Sequence, residues 1–114
     1  MNTTAQAKSI IEELGAPNLK LQFDVYHCQI SEGDITRRFE ALLPLIGHVQ
    51  IAGNPDRNEP HVGEVDYEHV LKRIDELGYQ GWVGCEYRPK AGTAEGLGAW
   101  AQPYGIGITP AARV

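Results

Sequence analysis

The order of its segments constrains this chain most. Three short runs with strand character alternate with stretches of helical spacing, and glycine or proline marks most junctions. In residues 18–24, Leu19, Leu21 and Phe23 alternate with Lys20, Gln22 and Asp24. Residues 48–52 and 82–87 are the other two runs, rich in β-branched and aromatic side chains. Residues 3–14 read as a helix with Thr3 or Thr4 as cap, an apolar stripe of Ala5, Ile10, Ile11 and Leu14, and Gly15 as stop. A second helix runs from Ile35 to about Ile46, capped by Asp34, with Pro44 predicting an early end. Asp66 caps a third, whose face is Tyr67, Val70, Leu71, Ile74 and Leu77, and Gly78 stops it. A short helix is expected over 94–101, and irregular chain beyond Pro103. The order αβαβαβ predicts a parallel sheet with right-handed crossovers. Residues 25–33 and 53–64 are expected to be loops, the second long enough to suggest a functional one.

Composition narrows the function classes. A chain of 114 residues suits one small domain. Its net charge of -5 argues against nucleic acid as partner, because phosphate rewards basic faces. No apolar run approaches the roughly 18 residues of a membrane span. Met1-Asn2-Thr3-Thr4 has neither the basic nor the apolar region of a signal peptide. Cys28 and Cys85 lie far apart without metal-site spacing, so reduced thiols and a cytoplasmic location are the expectation.

Strand parity assembles a site. Successive side chains of a strand face opposite ways. Leu19, Leu21 and Phe23 share one face of the first run, and Val49 and Ile51 one face of the second. Val83, Cys85 and Tyr87 do so in the third. The other faces carry Asp24, Gln50 and Glu86, each in the C-terminal half of its strand. Glu86 stands out, because a carboxylate on a buried strand needs a partner, a metal or a task. Oxygen donors converging at the C-terminal ends of parallel strands form the active-site pattern of a (β/α)8 barrel. They suit a hard cation such as Mg2+ or Mn2+ better than zinc. Each residue also has a plainer reading: Asp24 as a loop cap, Gln50 as an interior amide, Glu86 as an ion-pair partner of Arg88 or Lys90. His27 and Arg57 are candidates for substrate contact, against loop histidine and solvated arginine. His48 reads as an interior group, His61 and His69 as surface residues, and Trp82 and Tyr87 as packing.

The strings that carry a family resemblance are Asn2-Thr3-Thr4-Ala5-Gln6-Ala7, Gln22-Phe23-Asp24-Val25-Tyr26-His27, Ile46-Gly47-His48-Val49-Gln50-Ile51-Ala52, Gly63-Glu64-Val65-Asp66-Tyr67 and Gly81-Trp82-Val83-Gly84-Cys85-Glu86-Tyr87. On these the chain resembles the hydroxypyruvate isomerase family of the xylose-isomerase-like TIM barrels. 2-Oxo-tetronate isomerases are near relatives and ketose 3-epimerases more distant ones. The resemblance implies a partial (β/α)8 barrel, its last three βα units. Residues 1–104 would form the C-terminal part of the isomerase domain and 105–114 an irregular tail. It implies isomerisation of a small hydroxy-oxo acid, hydroxypyruvate to tartronate semialdehyde, with two glutamates as proton donor and acceptor. Glu86 matches the second; the other belongs to a strand before Met1. Asp24, Gln50 and Glu86 match metal-ligand positions of the epimerases, Gln50 standing where those enzymes carry histidine. His27 and Arg57 match substrate contacts. A non-catalytic barrel remnant is the alternative of a different class. Three parallel strands cannot close a barrel. The chain alone is therefore expected to be a poor catalyst and aggregation-prone unless it pairs with a second copy or with the missing barrel half.

Overall fold

The structure is a computed structural model, and it describes residues 3–101. Its elements are α1 (Thr4–Leu14), β1 (Leu21–Asp24), α2 (Val25–Ser31), α3 (Ile35–Leu42) and a 3-10 turn (Leu43–Leu45). They continue with β2 (Ile46–Ile51), α4 (Tyr67–Glu76), β3 (Val83–Cys85) and α5 (Thr93–Ala101). The three strands form one parallel sheet in sequential order β1-β2-β3. This is the α/β alternation expected of part of a barrel. The tail at 105–114 lies outside the described residues.

Local chemistry explains most boundaries. Thr3 and Gln6 form a reciprocal capping box on α1, and Gly15 closes the helix in the left-handed conformation at φ 61. Pro44 cannot continue α3, so the helix ends at Leu42 and tightens into the 3-10 turn. Asp66 caps α4 by accepting from the His69 N–H at 3.1 Å. Gly47 is an extra residue in β2, where the register to β1 slips by one. A Cβ there would stand 2.8 Å from the Lys20 Cβ.

Several expectations need correction. The segment after β1 is not a loop: Asp24 accepts from the His27 N–H at 3.0 Å and starts α2 at Val25. Short side-chain-to-backbone capping overrides the weak helical pattern of this stretch. Asp34 occupies the N-cap position of α3 at φ 52 but makes no side-chain cap bond. Both outer strands are shorter than their apolar runs, β1 starting at Leu21 and β3 ending at Cys85. Nor is β3 buried: Trp82 is 81% exposed and Cys85 is exposed. As the edge strand of this sheet, β3 has a neighbour on one side only.

The core lies on the sheet face that parity assigned to packing. Phe23, Val49 and Ile51 are buried there, under Phe39, Val70 and Ile74 of α3 and α4. The Phe23 and Phe39 rings meet edge to face at 5.4 Å. The Tyr67 hydroxyl is buried and donates to the Ala52 carbonyl at 2.6 Å, which ties the end of β2 to α4. Burial pushes that phenol well above the ordinary tyrosine range. The 53–64 loop is a built element. Asn54 is fully buried and Glu59 buried within it, and Gly53 and Gly63 pack where a Cβ would collide with backbone carbonyls.

Candidate functional site

The opposite sheet face is polar and open. Register places Asp24 beside Gln50, and Gln50 beside Gly84, in one row across the three strands. Glu86 follows Gly84 by two positions and so points the same way. Gly84 matters because it has no side chain: a Cβ there would sit 3.0 Å from the His48 Nε2. On this side of the sheet a cavity of about 440 Å³ is lined by residues that include Asp24, His27, Gln50, Arg57 and Glu86. All five residues singled out from sequence therefore line one cavity. Its volume lies within the usual range for small-molecule sites, roughly 300–1,000 Å³.

Each side chain is held differently. Asp24 has a side chain only 14% exposed. Its Oδ1 caps α2, while Oδ2 faces His27 Nε2 at 3.9 Å. The plain reading of Asp24 as a cap thus holds alongside its place in the cavity. Gln50 accepts from Gln22 Nε2 at 3.1 Å, which fixes its amide across the strands. His27 is 58% exposed, at the cavity mouth.

Glu86 is exposed, not buried as the strand pattern suggests. It lies one residue past β3 and forms no ion pair with Arg88 or Lys90. Its backbone is nevertheless fixed at both ends. The N–H donates to the Ile51 carbonyl at 3.1 Å, and the carbonyl accepts from Arg57 Nε at 3.3 Å. Further bonds stitch the loop to the chain after β3. The Arg88 N–H donates to the Arg57 carbonyl at 2.7 Å, and Asn58 Nδ2 to the Arg88 carbonyl at 2.9 Å. The buried Glu59 carboxylate accepts from the Lys90 N–H at 3.2 Å. The loop thus takes the place of a flanking strand in holding Glu86.

Sequence reading missed three contributors. Tyr26 lies under the Arg57 guanidinium, with 5.0 Å from Cζ to ring centroid. Its place between Asp24 and His27 was the available signal. Glu32, with a side chain 6% exposed, forms another part of the cavity wall. It accepts from the Thr4 N–H at 3.0 Å and pairs with Arg38 at 3.5 Å, so a carboxylate sits at the N-terminus of α1. Cys28 is the third. Burial, reinforced by the Glu32 carboxylate, pushes its thiol up to about 11.

Cys28 is therefore a neutral thiol at physiological pH and no nucleophile. At pH 8 iodoacetamide is expected to label the exposed Cys85 first, slowed because burial raises that thiol too, and to spare Cys28 until the chain unfolds, as read by mass spectrometry. The sign of the pH effect follows. A folded pKa raised from 9.0 to about 11 contributes stability that is full below pH 9 and lost towards pH 11. Across that window wild type should lose on the order of 2 kcal/mol relative to Cys28→Ser.

Metal chemistry has a partial donor set. Asp24 and Glu86 offer carboxylate oxygens and Gln50 an amide oxygen, hard donors of the kind Mg2+ and Mn2+ take. Among the described residues no group of three His, Cys, Asp and Glu side chains is placed to hold an ion. Any site here would thus depend on the amide. No helix among the described residues is long and apolar enough to cross a membrane.

Comparison with known proteins identifies the family. The Xylose isomerase-like TIM barrel family matches residues 1–103. A 2-oxo-tetronate isomerase of Cupriavidus necator is 53% identical over 104 residues, covering 91% of this chain and 40% of the relative. Hydroxypyruvate isomerase of Escherichia coli is 46% identical over 101 residues, covering 89% of this chain and 39% of the relative. Among solved structures, an AP endonuclease, family 2, from Brucella melitensis superposes with a TM-score of 0.88 at 42% identity, over 91% of this chain and 40% of that one. A 3-keto-D-glucoside 4-epimerase from E. coli gives 0.81 at 30% identity, over 90% of this chain and 40% of that one. The chain spans about 40% of the length of these relatives. On the match over residues 1–103, it belongs to the Xylose isomerase-like TIM barrel family.

Proposed function

We propose that this chain supplies part of the active site of an aldose–ketose type isomerase that interconverts hydroxypyruvate and tartronate semialdehyde. The observation that supports this most is the single cavity shared by Glu86, Asp24, Gln50, His27 and Arg57. The substrate is a three-carbon acid with a carbonyl beside a hydroxymethyl group. Arg57 meets its carboxylate. A carboxylate base takes a proton from the hydroxymethyl carbon, giving an enediolate, and a proton returns to the neighbouring carbon. The hydroxyl proton crosses from one oxygen to the other, so atoms and charge balance. Glu86 performs one of the two transfers, and a glutamate supplied by the rest of the barrel performs the other. The exposed edges of β1 and β3 are where further strands complete that barrel, in the cytoplasm. Asp24, Gln50 and Glu86 would hold Mg2+ or Mn2+, which supplies charge stabilisation to the enediolate oxygens when bound.

A 2-oxo-tetronate substrate is the second reading, favoured by the 53% identity to an enzyme of that name and by a cavity roomy enough for a fourth carbon. Measuring kcat/KM for both acids separates them. The present reading expects hydroxypyruvate to be preferred, and a preference for the four-carbon acid would replace it with the second. The two roles of Asp24 can also be separated. Asparagine caps helices as well as aspartate. Asp24→Asn is therefore expected to keep stability within about 0.5 kcal/mol while weakening Mn2+ binding at least about 10-fold, read by denaturation and by calorimetry.

A further inference from the structure

Arg57 has its backbone at φ 63, a conformation that a non-glycine residue keeps only when its surroundings hold it there. Those surroundings are visible. Its N–H donates to the Gly53 carbonyl at 2.8 Å, and its carbonyl accepts from the Arg88 N–H at 2.7 Å. The side chain is held as well, by Nε donating to the Glu86 carbonyl at 3.3 Å and by the Tyr26 ring at 5.0 Å. Tyr26 is in turn tied at two points. Its hydroxyl donates to the Pro55 carbonyl at 3.2 Å, and its own carbonyl accepts from Nδ2 of the fully buried Asn54 at 3.1 Å. Nε and the guanidinium face are thus occupied, which leaves the terminal nitrogens as the donors for an anion in the cavity.

We propose that Tyr26 is a positioning residue that fixes Arg57 as the reader of the substrate carboxylate and so sets selectivity for acids over neutral ketoses. This rests on the isomerase reading above. A flexible arginine loses much of its advantage when it must be ordered on binding. A ring beneath it removes that cost and adds cation–π attraction. The ring is what this role needs; the hydroxyl serves only to hold the ring to the loop.

The test compares hydroxypyruvate with dihydroxyacetone, a neutral ketose of the same carbon count, by calorimetric titration of a closed barrel carrying these residues and of its variants. Tyr26→Leu is expected to weaken hydroxypyruvate about 3–10-fold and to leave dihydroxyacetone unchanged. Tyr26→Phe should restore the wild-type ratio, and Arg57→Ala should remove the discrimination altogether. Equal weakening of both ligands in Tyr26→Leu, or a Tyr26→Phe as poor as Tyr26→Leu, overturns the proposal. So does a Tyr26→Leu chain that discriminates like wild type while Arg57→Ala does not, and in that case the isomerase reading survives. If wild type binds neither compound, the isomerase reading fails. The positioning is then read separately from the Arg57 Nε–H resonance. Slow exchange with water in wild type and Tyr26→Phe but not in Tyr26→Leu supports it, and equally fast exchange in all three overturns it.

Discussion

Glu86→Gln is expected to lower kcat for hydroxypyruvate isomerisation by about 10²–10⁴-fold in a closed barrel carrying these residues, with KM changed little. Glutamine keeps the size and hydrogen bonding of the side chain but cannot accept the proton. The backbone around Glu86 is held by Ile51 and Arg57, neither of which the substitution touches. Loss of activity can then be assigned to the carboxylate and not to a collapsed site. Steady-state kinetics with circular dichroism of the variant gives the answer. Wild-type turnover would remove Glu86 from the mechanism, while loss of both folding and activity would show that its role is structural.

Gly63→Ala should produce the largest loss of stability among small substitutions. Gly63 sits at φ 124, and a Cβ there would collide with the Asn54 carbonyl, its carbon lying 2.8 Å away. Strain and overpacking together should cost about 3 kcal/mol or more. Gly33→Ala is the control: φ is 73, yet nothing stands within 4 Å of its Cβ, so about 1 kcal/mol is expected. Gly63 is also bonded into the site at one remove. The Glu64 N–H donates to the Asn54 carbonyl at 2.9 Å, and Asn54 holds Tyr26. Gly63→Ala should therefore also weaken carboxylate binding, whereas Gly33→Ala should not. Urea denaturation measures the first effect and ligand titration the second.

The sheet was legible because its signals are local and periodic. Alternation in 18–24 and in 48–52 places Phe23, Val49 and Ile51 on the packing face that the structure shows. Parity puts Asp24 and Gln50 opposite, and register then aligns them, a step that needs only parallel pairing. The capping of α1 and α4 was equally plain, since Thr3, Gly15 and Asp66 have well-defined physical roles. The exposure of Glu86 was not. Burial of a strand depends on how many neighbours it has, and the composition of 82–87 is that of a strand with two. Helix α2 was hidden for another reason. Its seven residues are too few to show a period, and Asp24 looked like a strand end although it also starts the helix. Tyr26 escaped because its partner Arg57 is distant in sequence, brought close by a loop with no regular pattern. The clamp of Arg57, Asn58 and Glu59 onto residues 86–90 is likewise a long-range feature that no local spacing announces.

Isomerisation itself tests the central claim most directly. Hydroxypyruvate supplied in D2O to the barrel carrying this segment, followed by proton NMR, should give tartronate semialdehyde with deuterium at the carbon next to the carboxylate. Formation of the deuterated product should fall by about 10²–10⁴-fold in Glu86→Gln. Folded protein that binds hydroxypyruvate yet neither isomerises it nor exchanges its carbon-bound protons would contradict the account.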